Sequence, residues 1–377
     1  MPHSSIPASL LLATALCLSG CDKETQSAAP KEPAKSTAPA ANQPVPQTAT
    51  QQPGAKTATS PSTAKTAPAD DSANRLGSKE PIAKPAGAIR LAVYNIENLF
   101  DARADGKSKV TDEKPKEHCA AAAEAIRKVN ADVLALVEIE SKEALTEFRD
   151  LYLKDMGYTY ISSLDAGDGR GIEQSVLSRF PLSQEKNWLH AKLEGVHLVD
   201  NSAERIKAGT PLDLKRSPLH VVVTVPADKT GGKPYELTLY VMHHKAGRDF
   251  GYWRTAEAQF ISKLVSDELK TDKDRQIAVL GDFNAQPTDE SFQTYITGGL
   301  IDAFADRKKE PKWFTHMSGR SIDNIFMTPS LSADVVTETR FILGTPVKAA
   351  KGDWDTMPYP AGYASDHLPV VVDLRMR

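Results

Sequence analysis

Six short apolar runs in this chain carry an acid, an amide or an imidazole at or near one end. That recurrence constrains the fold more than any other feature. The runs are Ile89 to Ile96 with Asn95, Val133 to Ile139 with Glu138, Leu237 to Met242 before His243-His244, Ile277 to Leu280 before Gly281-Asp282-Phe283-Asn284, Ile322 to Met327 with Asp323, and Leu368 to Leu374 after Asp366-His367. Each has the length of a strand, and the continuous run VLALVEI suits a strand buried on both faces. Gln174 to Ser178 and Leu219 to Val225 add two more strands, while residues 117–129 and 252–270 have helical spacing and propensity. Strands interrupted by a few helices predict an α/β domain of two packed sheets with helices outside. Polar groups at strand ends are where such folds build sites.

The residue types suggest the chemistry. A carboxylate inside an apolar run, as at Glu138, is costly to bury unless it is paired or bound to a metal. The competing reading is a pleat that turns Glu138 and Glu140 to solvent. Two adjacent histidines at a strand end point to opposite faces, so one of His243 and His244 faces the site, and composition does not choose between them. Asp282 and Asn284 are two apart and share a side if the strand conformation persists. Their hard oxygen ligands suit Mg²⁺, Mn²⁺ or Ca²⁺. Taken alone, Gly-Asp-Phe-Asn also reads as a turn, and Asp366-His367 as a cap or a surface pair.

Composition divides the 377 residues. Residues 22–88 are dominated by Ala, Pro, Thr, Ser, Gln and Lys, and cannot bury enough apolar surface to offset ordering entropy; they are expected to form a disordered, semi-extended linker. Residues 89–377 have globular composition and are expected to form one domain. Net charge is −3 for the whole chain, so the domain does not grip nucleic acid by bulk charge, although a clustered basic groove is compatible with that balance. Of the three cysteines only Cys119 lies in the domain, which rules out an intramolecular disulfide there.

The run Ser9 to Gly20 is too short to span a bilayer and fits the apolar part of a signal peptide over residues 1–20. Leu18-Ser19-Gly20-Cys21 resembles the bacterial lipobox, whose cysteine is diacylated, which implies an anchor at Cys21 and a location at the bacterial cell envelope, facing the periplasm or exterior. The other reading is a plain secretory signal with an incidental cysteine.

In order, YNIENLFD, LALVEIE, HHKAG, GDFNAQP, SIDNIF and SDHLPV resemble the motifs of the endonuclease/exonuclease/phosphatase superfamily, which includes deoxyribonuclease I, exonuclease III, sphingomyelinases and inositol-polyphosphate 5-phosphatases. The resemblance covers nearly all of residues 89–377. It implies a four-layer α/β sandwich, with two mainly antiparallel sheets flanked by helices. It also implies roles. Glu138 is the main metal ligand, helped by Asn95 and Asp366, for Mg²⁺ or Mn²⁺, with Ca²⁺ as the other option. His243, Asp282, Asn284, Asp323 and His367 are catalytic, His243 taking the place of the family histidine. Asn95, Arg170, Arg216 and Arg254 contact phosphate or substrate. Met242, Asn324 and Ala246 depart from the usual residues and leave substrate choice open.

The implied activity is divalent-metal-dependent hydrolysis of phosphodiesters. The expected substrate is DNA or RNA, met by a lipid-anchored monomer without an organic cofactor. The alternatives are a phosphatase or phosphodiesterase acting on an inositol phosphate or phospholipid headgroup, favoured by the domain's mild acidity, and a non-catalytic binding lipoprotein.

Overall fold

The computed structural model describes residues 76–376 apart from 102, 104–112 and 203. The signal peptide, the lipidation site Cys21 and linker residues 22–75 lie outside the described residues. Among the described residues, no helix is long and apolar enough to cross a membrane.

Two six-stranded sheets pack face to face. Numbered in chain order, the first runs Phe341–Ile342 (β13), Val370–Leu374 (β14), Ile89–Leu99 (β1), Val133–Ile139 (β2), Glu173–Ser178 (β4) and Tyr160–Ser163 (β3). The second runs Ile301–Asp302 (β11), Asp323–Met327 (β12), Ile277–Asp282 (β10), Tyr235–His243 (β9), Leu219–Val225 (β8) and Leu182–Lys186 (β5). Lys192–Val196 (β6) and Pro211–Asp213 (β7) form a separate two-stranded ribbon. Each large sheet has one parallel pair at its centre, β1 with β2 and β9 with β10, and antiparallel pairs outside it. A helix connects each parallel pair, Lys116–Val129 and Gly251–Thr271 respectively, because parallel neighbours need a long crossover.

The core is layered as the α/β sandwich requires. Leu91, Val93, Val133, Ala135 and Val137 meet Leu239, Val241, Ala278, Leu280 and Ile325 between the sheets. The opposite face of the first sheet (Ala92, Tyr94, Leu134, Leu136) packs on the helices Lys116–Val129 and Lys142–Tyr152. That of the second (Tyr240, Met242, Ile277, Val279) packs on Gly251–Thr271 and Glu290–Thr297. Each buried Val or Leu contributes about 1.5–3 kcal/mol of transfer free energy.

The topology creates the site. Central parallel strands bring their C-terminal ends together, and antiparallel neighbours bring their N-terminal ends to the same edge. Asp282 at the end of β10 pairs in register with His243 of β9 on one side and with Asp323, the first residue of β12, on the other. Gly281 is needed there: its φ is +152°, and a Cβ would lie 2.0 Å from the Met242 carbonyl oxygen.

The boundary at Ile89 is corrected. Leu76 is buried in the inter-sheet core, Ser78 exchanges backbone hydrogen bonds with Ile342 and Gly344, and Lys84 pairs with Asp132 at 2.6 Å. The folded domain therefore includes residues 76–88. Their composition is linker-like, but one leucine and the open edge beyond β13 supply a docking place that composition does not reveal.

Candidate active site

Alternation along the strands selects the inward groups. On β9, Leu237, Leu239 and Val241 face the inter-sheet core, so His243 continues that face into a cleft. His244 points into the helix layer instead, 2.8 Å from the Tyr295 hydroxyl and 3.5 Å from Glu257. On β10, Ala278 and Leu280 put Asp282 on the inner face; on β12, Ile325 and Met327 do the same for Asp323.

Glu138 reaches the site by a different route. Val133, Ala135 and Val137 face the other sheet, yet Ile139 packs with Leu134 and Leu136 on the helix side. The phase switches at Glu138, where φ is +67° and the pairing register shifts. This bulge re-aims the carboxylate toward the cleft. Oε2 accepts from the Asn98 N–H at 3.1 Å, and Oε1 lies 3.3 Å from Arg170 Nη2 and 3.7 Å from His243 Nε2. Glu138 and Glu140 do not turn to solvent together: Glu140 is buried and accepts from the Asp101 N–H.

Asp282 is the hub. Its Oδ2 accepts from Asn95 Nδ2 and Asn284 Nδ2, both at 3.3 Å, and its Oδ1 accepts from the Asn284 N–H at 2.8 Å. The Nε2 atoms of His243 and His367 each lie 3.7 Å from Oδ2. His367 Nδ1 is 2.8 Å from Asp323 Oδ2. The loop before β14 is anchored by the Ser365 hydroxyl, which donates to the Asn95 carbonyl at 2.7 Å.

Electrostatics separates these groups. Burial pushes the Asp282 carboxyl up to about 7, with Asp323 and Glu138 adding to the rise against the pull of His367. Burial alone would depress His367, but Asp323, Asp366 and Asp282 outweigh it and hold the imidazole cationic, well above its ordinary value. Burial, then Arg216, Arg170 and His367, push His243 well below its ordinary value, so that ring is neutral. Two imidazoles flanking one carboxylate are thus held in opposite charge states.

Several predicted residues take other positions. Arg170 reaches Glu138, and Arg216 lies 2.8 Å from Asp168 while donating to the His244 carbonyl at 3.0 Å; both line the cleft. Arg254, expected at the substrate, donates instead to the carbonyls of Lys245 and Gly247 at 3.0 and 2.7 Å and braces the loop behind the cleft. Met242 and Asn324 do not border the chemistry either: Met242 packs in the helix layer, and Asn324 accepts from Arg307 at 2.9 Å. Ala246 does line the cleft.

Sequence reasoning missed His316, Glu97 and Asp168. His316 Nε2 is 3.3 Å from Asp366 Oδ2, and its ring meets that of His367 edge-on at 4.6 Å. It comes from a loop with no periodicity, so nothing in the sequence marks it. Glu97 had a signal, being two residues after Asn95. Burial and then Asp366 push its carboxyl up to about 7, and the Tyr363 hydroxyl donates to it at 2.7 Å.

The donor set fits a hard cation. Asp282 and Asp323 offer oxygens within 4.8 Å of one another beside His367, and Asp366 offers one within that distance of His316. Asp323 Oδ1 is buried without a hydrogen-bond partner among the described residues. Glu138 stands beside Asp282 through their shared neighbour His243.

Residues 120–367 match the model of the Endonuclease/Exonuclease/phosphatase family. The chain belongs to this family. Family members are hydrolases of phosphoester bonds and generally use divalent metals. The endonuclease/exonuclease/phosphatase of Beutenbergia cavernae aligns with a TM-score of 0.50 at 21% identity, over 77% of this chain and 72% of that one. The mannosyl-6-phosphatase of Bacteroides thetaiotaomicron aligns with a TM-score of 0.48 at 19% identity, over 76% of this chain and 99% of that one. The human Nocturnin catalytic domain gives 0.49 at 16%, over 77% and 95%. At these identities the likeness is one of fold. No curated protein sequence matches the chain significantly.

Proposed function

We propose that the chain is a divalent-cation-dependent nuclease that cuts DNA or RNA phosphodiesters at the bacterial cell envelope. The observation that carries the chemistry is the Asp282 carboxylate, set 3.7 Å from a neutral and a cationic imidazole at once. Asp282 takes a proton from the attacking water. His367, oriented by Asp323, gives a proton to the departing oxygen, and His243 donates a hydrogen bond to the phosphoryl oxygens as charge develops. Glu138, Asn95 and Asp366 would hold the cation, with Glu97 close by. When bound, a divalent ion supplies Lewis-acid polarisation of a phosphoryl oxygen.

What favours nucleic acid is the cleft wall. Arg170, Lys215, Arg216, Lys245 and Arg320 line a cleft of about 440 Å³ alongside the acids Glu138, Asp168, Glu204, Asp282 and Asp366. Local cations of this kind suit a phosphate backbone. In the test, the full chain is incubated with supercoiled plasmid and Mg²⁺ or Mn²⁺. Nicking that EDTA abolishes, and whose substrate affinity falls steeply with salt, is the expected result. Folded protein that leaves the plasmid intact while cleaving a small phosphoester would replace the nuclease with a small-substrate phosphatase.

The envelope location rests on the run from Ser9 to Cys21. Cells expressing the full chain are expected to incorporate labelled palmitate into it, and Cys21→Ala is expected to abolish the label. Equal labelling of both proteins would remove the anchor from the proposal.

A further inference from the structure

Glu204 occupies a position in the cleft that its own chemistry does not explain. It sits in a turn closed by paired backbone hydrogen bonds between Asn201 and Ile206. Its two carboxylate oxygens are taken by two different lysines: Lys245 Nζ donates to Oε1 at 3.0 Å, and Lys215 Nζ to Oε2 at 3.1 Å. All three residues line the same cleft as Asp282 and His367.

The backbone of each lysine is held in place independently of Glu204. A second, fully buried carboxylate, Glu257 of the helix Gly251–Thr271, accepts from the backbone N–H of Lys245 at 3.0 Å and from that of Lys215 at 3.4 Å. One acid thus ties two segments 30 residues apart in sequence and aims both side chains at one point. Lys245 is fixed further: its ammonium donates to the Ala246 carbonyl at 2.8 Å and lies 4.1 Å from the centre of the Phe250 ring. Its side chain is only 6% exposed, whereas that of Glu204 is 30% exposed. Lys245 is built into the cleft wall, while Lys215, with its side chain 27% exposed, stands at the rim beside Glu204.

The geometry points to a second anion subsite formed by Lys215 and Lys245, which Glu204 fills in the free protein and which a second phosphoryl group of the substrate takes over. This rests on the phosphoesterase reading and narrows it to substrates with a second phosphate near the scissile one, as in a polynucleotide or a nucleoside bisphosphate. A terminal phosphate monoester brings more charge and one more acceptor oxygen than a carboxylate, so two ammonium groups hold it more strongly, whereas an internal phosphodiester only matches the carboxylate in both. The displaced Glu204 regains water, and its pair with Lys215, the more exposed of the two, contributes little to stability.

Binding of thymidine 3′,5′-bisphosphate and thymidine 5′-monophosphate to the metal-free full chain, measured by calorimetry, tests the subsite without turnover. Wild type is expected to prefer the bisphosphate. Glu204→Gln is expected to increase that preference about fivefold by removing the competing charge, and Lys245→Met to bring it close to one. Equal affinity for the two nucleotides in wild type, or a weaker preference in Glu204→Gln, would overturn the subsite. Because Lys245→Met itself could disturb the loop, Lys215→Met is the second variant, and an unchanged preference in both also overturns it. Hydrolysis of a p-nitrophenyl thymidine phosphodiester with Mg²⁺ in the same preparations keeps the readings apart. Turnover without bisphosphate preference removes only the subsite. Bisphosphate preference without turnover removes the phosphoesterase reading and leaves the subsite.

Discussion

Asp282→Ala and His367→Ala should each lower phosphodiester turnover by about 10³-fold while leaving the circular dichroism spectrum and the unfolding transition cooperative. The magnitude follows from what each side chain does. Asp282 carries the one carboxylate oxygen that lies 3.7 Å from the Nε2 atoms of both imidazoles, and it organises Asn95 and Asn284. Its removal takes away the base and loosens the two amides. His367 is the cationic donor, and Asp323 at 2.8 Å fixes its ring. Asp323→Asn keeps the shape but removes the charge that holds the imidazolium, so it should act in the same direction with less effect on folding. Neither residue belongs to the apolar layers, so the core survives. A pH profile adds a check. Asp282 accepts a proton only when ionised, and its carboxyl is pushed up to about 7, so activity should fall as pH drops below that value; a bound cation moves this limb to lower pH. Variants that retain activity within about tenfold of wild type would sink the assignment.

Asp373→Ala should cost about 3–5 kcal/mol of folding stability, far from the cleft chemistry. Arg90 on β1 and Asp373 on β14 stand directly opposite one another in register. Nε and Nη2 of Arg90 reach the two carboxylate oxygens at 2.8 and 2.9 Å, and the side chains are 3% and 0% exposed. The remaining guanidinium donors reach the carbonyls of Val129 and Ile82 at 3.0 and 2.7 Å. Without Asp373 the guanidinium is a buried charge left with two carbonyls and the Phe341 ring, and no anion offsets it. Replacing both residues with apolar side chains should recover only part of the loss, since those two carbonyls would lose their donor. Urea titration measures the change, and a loss below about 1 kcal/mol would contradict this account. The pair also holds residues 76–88 in place through Ile82, which links the correction at the domain boundary to the same interaction.

Much of the architecture is visible in the chain itself. The strands expected at 133–139, 219–225 and 277–280 and the helices at 117–129 and 252–270 follow from apolar runs and spacing and lie within the observed elements, because burial on both faces demands continuous apolar sequence. Short edge elements such as β5, β6, β7 and β11 escape notice, being polar or only two to five residues long. The same burial that makes the central strands visible erases the information about their faces. When both sides of β9 are apolar, alternation cannot say which side meets the other sheet, so His243 and His244 are indistinguishable until the sheets are packed.

By itself, then, the sequence determined the layered α/β class and the order of acids, amides and imidazoles along it, since these depend on local pattern. Tertiary structure alone decided which of them meet. Strand register brought Asp323 and His243 to either side of Asp282, and a left-handed backbone at Glu138 turned a carboxylate against its strand's own alternation. Packing delivered His316 and Glu204 from loops that carry no signal of their own. Contacts between distant segments are set by hydrogen-bond register and core packing, and neither is encoded within the few residues where a motif is read.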